Sequence, residues 1–294
     1  MRTVLRVATT VLAAAAAAVI PAAASAATPK PAPTPGVVTN ALGIVGYADH
    51  APGIRLGDLH WQMPLTQAAA TAVGTSAADG STITGSMAGE LCDPATGYTV
   101  QLAAIYTGGG QWEFAYAAGT LTGPGNPCLS GVLSGGVTTH LLTWPSGSPV
   151  TVPSGDTVRA EIATSITRHA VTGRAVIFRI FDETTGTLDF STGPLAPATL
   201  GLPAWPQFHQ AAVLTQLAPV QEVTAALTPA TSVTFAQVAD YAGQHQYLDG
   251  RWPSTPVEYT ADGTLTGTVL GSTQASLAGG HFTVFADPAV IVGS

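Results

Sequence analysis

Charge is scarce in this chain of 294 residues: Asp, Glu, Lys and Arg together make up 9%, and aromatic residues only 7%. So little charge, set in a background rich in Thr, Ser, Val and Ala with 33 Gly and 22 Pro, argues against ion-paired amphipathic helices and for many short strands and turns. Cysteine is almost absent. Cys92 and Cys128 are the only two, too few and too far apart for a thiolate metal centre or a redox motif. There is no Gly-x-Ser-x-Gly segment, so the familiar hydrolase nucleophile turn is missing. His50, His60, His140, His169, His209, His245 and His281 form no i, i+4 pair beside an acid, and no acidic loop has calcium spacing. No metal and no cofactor is expected. Asn-x-Ser/Thr acceptors are absent too.

The one long apolar run is at the start. Arg2 and Arg6 precede Val7 to Ile20, and Ala24-Ser25-Ala26 supplies a small-residue cleavage pattern, so residues 1–27 read as an export signal cleaved near Ala26. The run is shorter than the roughly 20 residues a membrane helix needs, and no later stretch replaces it. A secreted, extracellular protein with no membrane span is expected. Removing Arg2 and Arg6 leaves seven Lys and Arg against seventeen Asp and Glu, a net charge of −10. Such a surface repels nucleic acid, which excludes that class of partner. Residues 28–36, TPKPAPTPG, read as a proline-rich tether, and residues 37–294 as a single domain.

Most informative is Tyr98 to Thr120, two alternating runs joined by Gly108-Gly109-Gly110. It reads as a β-hairpin. Pairing Thr107 with Gln111 sets Tyr106 opposite Trp112, Ala104 opposite Phe114, Leu102 opposite Tyr116 and Val100 opposite Ala118. That bulky face must be buried. By the two-residue period of a strand, the other face carries Gln101, Ala103, Ile105, Glu113, Ala115 and Ala117. This small-residue face reads either as the floor of a groove or as a surface packed under a second sheet. Outside the cell, Cys92 and Cys128, which flank the hairpin, are expected to form a disulfide.

Further strands are expected over Leu42 to Ala48, Gly57 to Met63, Ser81 to Leu91, Val137 to Trp144, Thr157 to Arg168, Ala175 to Phe181, Leu188 to Phe190, Ala211 to Leu217, Ser232 to Val238 and Phe282 to Ala286. A short helix is expected within Leu65 to Val73. Ten or more short strands without helical repeats give an all-β fold, a sandwich or barrel.

The order of several segments resembles the secreted glutamic peptidases, the eqolisins. These are Gly46-Tyr47, Trp61-Gln62-Met63-Pro64, Val100-Gln101-Leu102-Ala103, Trp112 to Tyr116, Pro153-Ser154-Gly155-Asp156, Ser232 to Phe235 and Gly280 to Val284. The resemblance covers nearly the whole mature chain. It implies a concanavalin A-like or jelly-roll sandwich of two antiparallel sheets, with a catalytic Gln and Glu on the concave face. The Gln falls on Gln101. The Glu does not carry over, because Ala212 stands where the family's carboxylate is expected, within Gln210-Ala211-Ala212-Val213-Leu214.

No obvious carboxylate replaces it. Glu113 shares the face of Gln101 but lies four residues along, roughly 13 Å at the usual strand rise. Glu90 and Asp93, beside Cys92, read as solvated loop or edge carboxylates. The sequence therefore favours a non-catalytic protein that binds an extended peptide or glycan in a groove, with Gln101, Glu113 and Trp61 as contacts. Two alternatives stay open: an acid endopeptidase using Gln101 and a relocated carboxylate, and a lectin-like or structural envelope protein. A carboxylate within hydrogen-bond reach of the Gln101 amide is what separates the first alternative from the binding protein.

Overall fold

Alternation of large apolar and small or polar side chains runs through most of the chain and turns it into strands with two unlike faces. The computed structural model describes residues 37–40, 42–50, 55–74, 86–122, 127–130, 132–165, 174–217, 231–241, 245–247, 254–261, 263, 265, 267, 269–276 and 281–286. The expected export signal and tether lie outside them, as do 81–85 and 166–168 of two expected strands. Pro35–Ser294 forms one compact unit.

In chain order the strands are β1 (Val38–Asn40), β2 (Ile44–His50), β3 (Asp58–Pro64), β4 (Ser86–Cys92), β5 (Tyr98–Gly108), β6 (Gln111–Thr122), β7 (Val132–Leu141) and β8 (Thr151–Pro153). They continue with β9 (Thr157–Ser165), β10 (Arg174–Asp182), β11 (Asp189–Ser191), β12 (Gln210–Gln216), β13 (Thr231–Tyr241), β14 (His245–Tyr247), β15 (Ser254–Thr260), β16 (Val269–Ser276) and β17 (His281–Ala286). Two short helices, α1 (Gln67–Val73) and α2 (Pro127–Ser130), are the only ones among the described residues. The protein is an all-β sandwich of two essentially antiparallel sheets, β1 on β15 being the parallel exception. In the larger sheet β2, β12, β4, β5 and β6 lie side by side, with β7 and β8 on the far side of β6 and β15 beyond β2. The smaller sheet runs β14, β13, β3, β9, β10, β11. Strand β13 belongs to both, pairing β17 through its first half and β3 through its second.

The core lies between the sheets. Leu59, Trp61, Met63, Val158, Ile162, Phe178 and Ile180 of the smaller sheet meet Leu91, Val100, Leu102, Trp112, Phe114 and Val213 of the larger. Tyr116 stacks on Phe178 with ring centroids 4.8 Å apart. The sheets approach closely at Gly89, where an added Cβ would lie 2.1 Å from the Trp61 ring. Trp61 is therefore a core residue with no exposed surface. Its expected role as a ligand contact is incorrect: Leu59, Trp61 and Met63 share one strand face, and that face is the buried one.

The hairpin register of Tyr106, Ala104, Leu102 and Val100 against Trp112, Phe114, Tyr116 and Ala118 is as the alternation predicts. Its tip differs. Gly108, not Thr107, pairs with Gln111, and the register shifts between Tyr106 and Gly108. Gly109 and Gly110 both take positive φ, +60° and +76°, so a two-residue turn of glycines closes the hairpin. The turn Pro153-Ser154-Gly155-Asp156 fastens this tip to the rest. Ser154 N donates to Gly110 O at 2.8 Å, the Trp112 indole Nε1 donates to Ser154 Oγ at 3.0 Å, and Gly155 N donates to Leu65 O at 2.8 Å. Leu65 leads into α1, where Thr66 Oγ1 accepts from Ala69 N at 3.1 Å as the N-cap. Strands β15 and β16 are additions that the sequence did not suggest, since neither STPVEYT nor VLGSTQAS alternates clearly between large apolar and polar side chains.

Because Gly89 leaves no room for a methyl group against a fully packed indole, Gly89→Ala is expected to destabilise the fold by at least about 1–3 kcal/mol. Denaturant unfolding of the variant with an unchanged midpoint would show that the sheets can separate there at no cost.

Candidate active site

With the bulky side chains committed to the core, the larger sheet turns its small and polar residues the other way. One row across the strands on this outer face reads Ala48, Ala212, Glu90, Gln101, Ala117, Thr139. The next reads Leu214, Ala88, Ala103, Ala115, Leu141. None of the alanines in these rows belongs to the clustered core, although all of them except Ala88 are buried. The smaller sheet does not lie over them. It packs on the opposite face.

Gln101 and Glu90 sit directly opposite each other on β5 and β4. The Gln101 amide Nε2 donates to Glu90 Oε2 at 2.5 Å. The carboxylate sought beside Gln101 is thus Glu90, one strand away from the position where the family resemblance places it, because Ala212 of β12 is the cross-strand neighbour of Glu90 on its other side. Adjacent strands are about 4.8 Å apart, so the displacement is a single strand spacing.

Glu90 is not the solvated carboxylate expected from the sequence: it is 3% exposed. Its strand is central in the sheet, flanked by β12 and β5, and the strands β2, β4, β5, β6, β7, β8 and β12 contain no Lys or Arg. With no cation on the sheet to offset desolvation, burial pushes the carboxyl up from 4.5 to about 7, while hydrogen bonds from Gln101 and then Thr99 pull it the other way. The Thr99 hydroxyl is shared, since it also donates to Leu91 O at 3.2 Å. Glu90 Oε1 is buried and has no hydrogen-bond partner. A buried carboxyl oxygen with an unused acceptor, beside an amide that keeps a second N–H and its own carbonyl oxygen, is a place where one water molecule can be held by both groups.

The other acids separate cleanly. Asp93 is also buried, but both of its oxygens are engaged, Oδ1 by Ala95 N and Oδ2 by Gln207 N, each at 3.0 Å. It ties the turn after β4 to the loop before β12 and has no part in the site. Glu113 is half-buried on the outer face opposite Ile105, four residues along from Gln101 as the register requires. Cys92 and Cys128 form the expected disulfide, with Cα atoms 5.9 Å apart, anchoring the end of β4 two residues from Glu90. Among the described residues no group of three or more His, Cys, Asp or Glu is placed to hold a metal ion, and no helix is long and apolar enough to cross a membrane.

No protein-family model and no curated protein matches the chain.

The raised pKa of Glu90 has a consequence for stability. The folded state holds this proton more tightly than the unfolded chain, so the stabilisation is full below about pH 4.5 and is lost as pH rises to and beyond about 7. On the order of 3 kcal/mol is at stake. Glu90→Gln should match the parent near pH 4 and be more stable than it at pH 8, as read from urea midpoints at both pH values. Parallel pH dependence in the two proteins would mean that Glu90 titrates normally.

Proposed function

We propose that the protein is a secreted hydrolase of the glutamic-peptidase type in which Glu90 and Gln101 act on a single water. The observation that carries this reading is the direct hydrogen bond between the Gln101 amide and the Glu90 carboxyl on the outer face of the larger sheet. The segment order that resembles the eqolisins, and the concanavalin A-like sandwich it implies, support it, as does a disulfide suited to an oxidising compartment.

In this mechanism Glu90, as carboxylate, takes a proton from the water while its oxygen attacks the peptide carbonyl carbon. The second N–H of Gln101 donates to the oxyanion that forms. As the C–N bond breaks, Glu90 returns the proton to the leaving amine. No covalent intermediate is needed.

The environment of Glu90 then alters the pH at which the reaction runs. A general base must be ionised, and a carboxyl at about 7 is mostly protonated in acid. The rate should rise with pH through the acid range and level off above about pH 7, unlike an enzyme adapted to acid.

A second reading, the non-catalytic groove that holds an extended peptide or glycan, is favoured by the near-complete burial of Glu90 and by Ala212 in the family's Glu position. Casein cleavage by the purified mature protein between pH 4 and 8.5 decides between them. Glu90→Gln and Gln101→Ala should each lower the rate by about 10²- to 10⁴-fold, the usual range for lost acid–base or oxyanion help. A parent protein that binds denatured casein yet cleaves none at any pH would hand the site to the second reading.

A further inference from the structure

Three of the described tryptophans, Trp61, Trp112 and Trp205, are buried; Trp144 is 38% exposed, the one aromatic residue beside Leu42 and Leu265 among the exposed large hydrophobic side chains described. It stands in the turn that joins β7 to β8, on the far side of β6 from the Glu90–Gln101 pair. Leu142 is still part of the core, and two residues further on, at the rim, comes Trp144. The indole is held firmly there. It meets the ring of Phe190, a core residue of β11, edge-to-face with centroids 5.3 Å apart. Trp144 N donates to Ser148 O and Gly147 N to Trp144 O, both at 2.8 Å, Thr143 bridges to Pro149, and Gly147 takes a positive φ of +86°. A ring so fixed loses little freedom when a ligand stacks on it.

The surroundings of the ring select the ligand. Every residue from Thr143 to Pro149 is exposed, and the hydroxyls of Ser146 and Ser148 lie 3.2 Å apart beside the indole in sequence. From Phe114 to Gly155 the chain has no Asp, Glu, Lys or Arg, and the one charged residue of β11, Asp189, is an acid. An anionic ligand such as nucleic acid, acidic lipid or a polyuronate therefore meets no cation on these segments. An exposed indole beside hydroxyls suits a molecule with a flat C–H face and a rim of hydroxyls, which is a sugar ring with equatorial substituents. Its C–H groups carry slight positive charge and are drawn to the negative face of the indole, while its hydroxyls exchange hydrogen bonds with those of serine. We propose that the Thr143–Pro149 turn binds a neutral β-linked glucan, with Trp144 as the stacking platform and Ser146 and Ser148 as its hydrogen-bonding edge. The site is separate from Glu90 and Gln101 and does not depend on the hydrolase reading.

The test measures depletion of the purified protein from solution by microcrystalline cellulose and titration with cellohexaose, at low salt and in 0.5 M salt. The parent should bind both, equally at the two salt concentrations because no charge is involved. Trp144→Ala should weaken binding about three- to tenfold. Trp144→Phe keeps a ring against Phe190 and should retain most of the affinity, which separates lost stacking from lost folding. Ser146→Ala with Ser148→Ala should weaken binding without removing it. Leu42→Ala, which truncates an apolar side chain of similar exposure, should change nothing. No binding by the parent, full binding by Trp144→Ala, or an equal loss in Leu42→Ala, which would show unspecific apolar adsorption, would each overturn the proposal. Binding that fades in high salt would do so as well.

Discussion

The Trp61 ring rests on the backbone of β4 at Gly89, and this close approach decides which side of the larger sheet is the core. Once Gly89 faces the smaller sheet, strand alternation leaves Glu90 no choice but the outer face. Its neighbours follow suit: Leu91 and Val100 turn inward, while Gln101 turns outward to meet Glu90 across the ladder. The pairing of carboxyl and amide is thus a by-product of where a bulky indole had to go. A one-residue slip of β4 against β5 would send Glu90 into the core and Leu91 out of it, so packing holds the polar pair in register far more firmly than their hydrogen bond does.

Keeping that pair buried has an energetic cost. A carboxyl on a central strand without a cation remains neutral until the medium approaches neutrality, and its unpartnered oxygen adds a desolvation penalty. Nothing in the architecture needs it, because an alanine at position 90 would continue the row of Ala48, Ala212 and Ala117. Asp93 makes the contrast clear: it is equally buried but fully hydrogen-bonded, and its work in tying two loops together explains its presence. Perturbed, incompletely satisfied carboxyls of the Glu90 kind are found preferentially where chemistry is done. This is why the pair, and not the more numerous charges on the smaller sheet, draws the functional reading.

The hairpin β5–β6 was legible in the sequence because its two faces differ so strongly in size, Trp112 and Phe114 on one and Ala115 and Ala117 on the other. The same test applied to β3 would have placed Trp61 correctly, since Leu59, Trp61 and Met63 alternate with His60 and Gln62. Glu90 was within reach as well. The turn over Asp93 to Gly97 sets Cys92 against Thr99, and counting back two residues on β4 and forward two on β5 brings Glu90 to Gln101. What the sequence did not disclose was that β12 would close the other side of β4, since that neighbour arrives from more than a hundred residues away and removes the solvent assumed for Glu90. The late strands β15 and β16 left no comparable trace, because STPVEYT and VLGSTQAS set no row of large side chains against a row of small ones.

Ala212 and Glu90 are best understood together. They face each other on adjacent strands, where directly opposed side chains have Cβ atoms about 4.5–5.5 Å apart. Two carboxylates at that distance on a face without cations would repel, and at least one would stay protonated. The resemblance places a carboxylate at 212, where this chain has alanine, and the buried carboxyl of this chain stands at 90 instead. Either arrangement leaves one carboxyl within a strand spacing or two of Gln101, but both at once would hold a proton on one of them to higher pH. The alanine at 212 therefore spares Glu90 the like-charge repulsion that a second carboxyl on β12 would add. A glutamate at 212 would crowd this face with like charge and raise the pKa of Glu90 further, however closely the sequence then matched the family pattern.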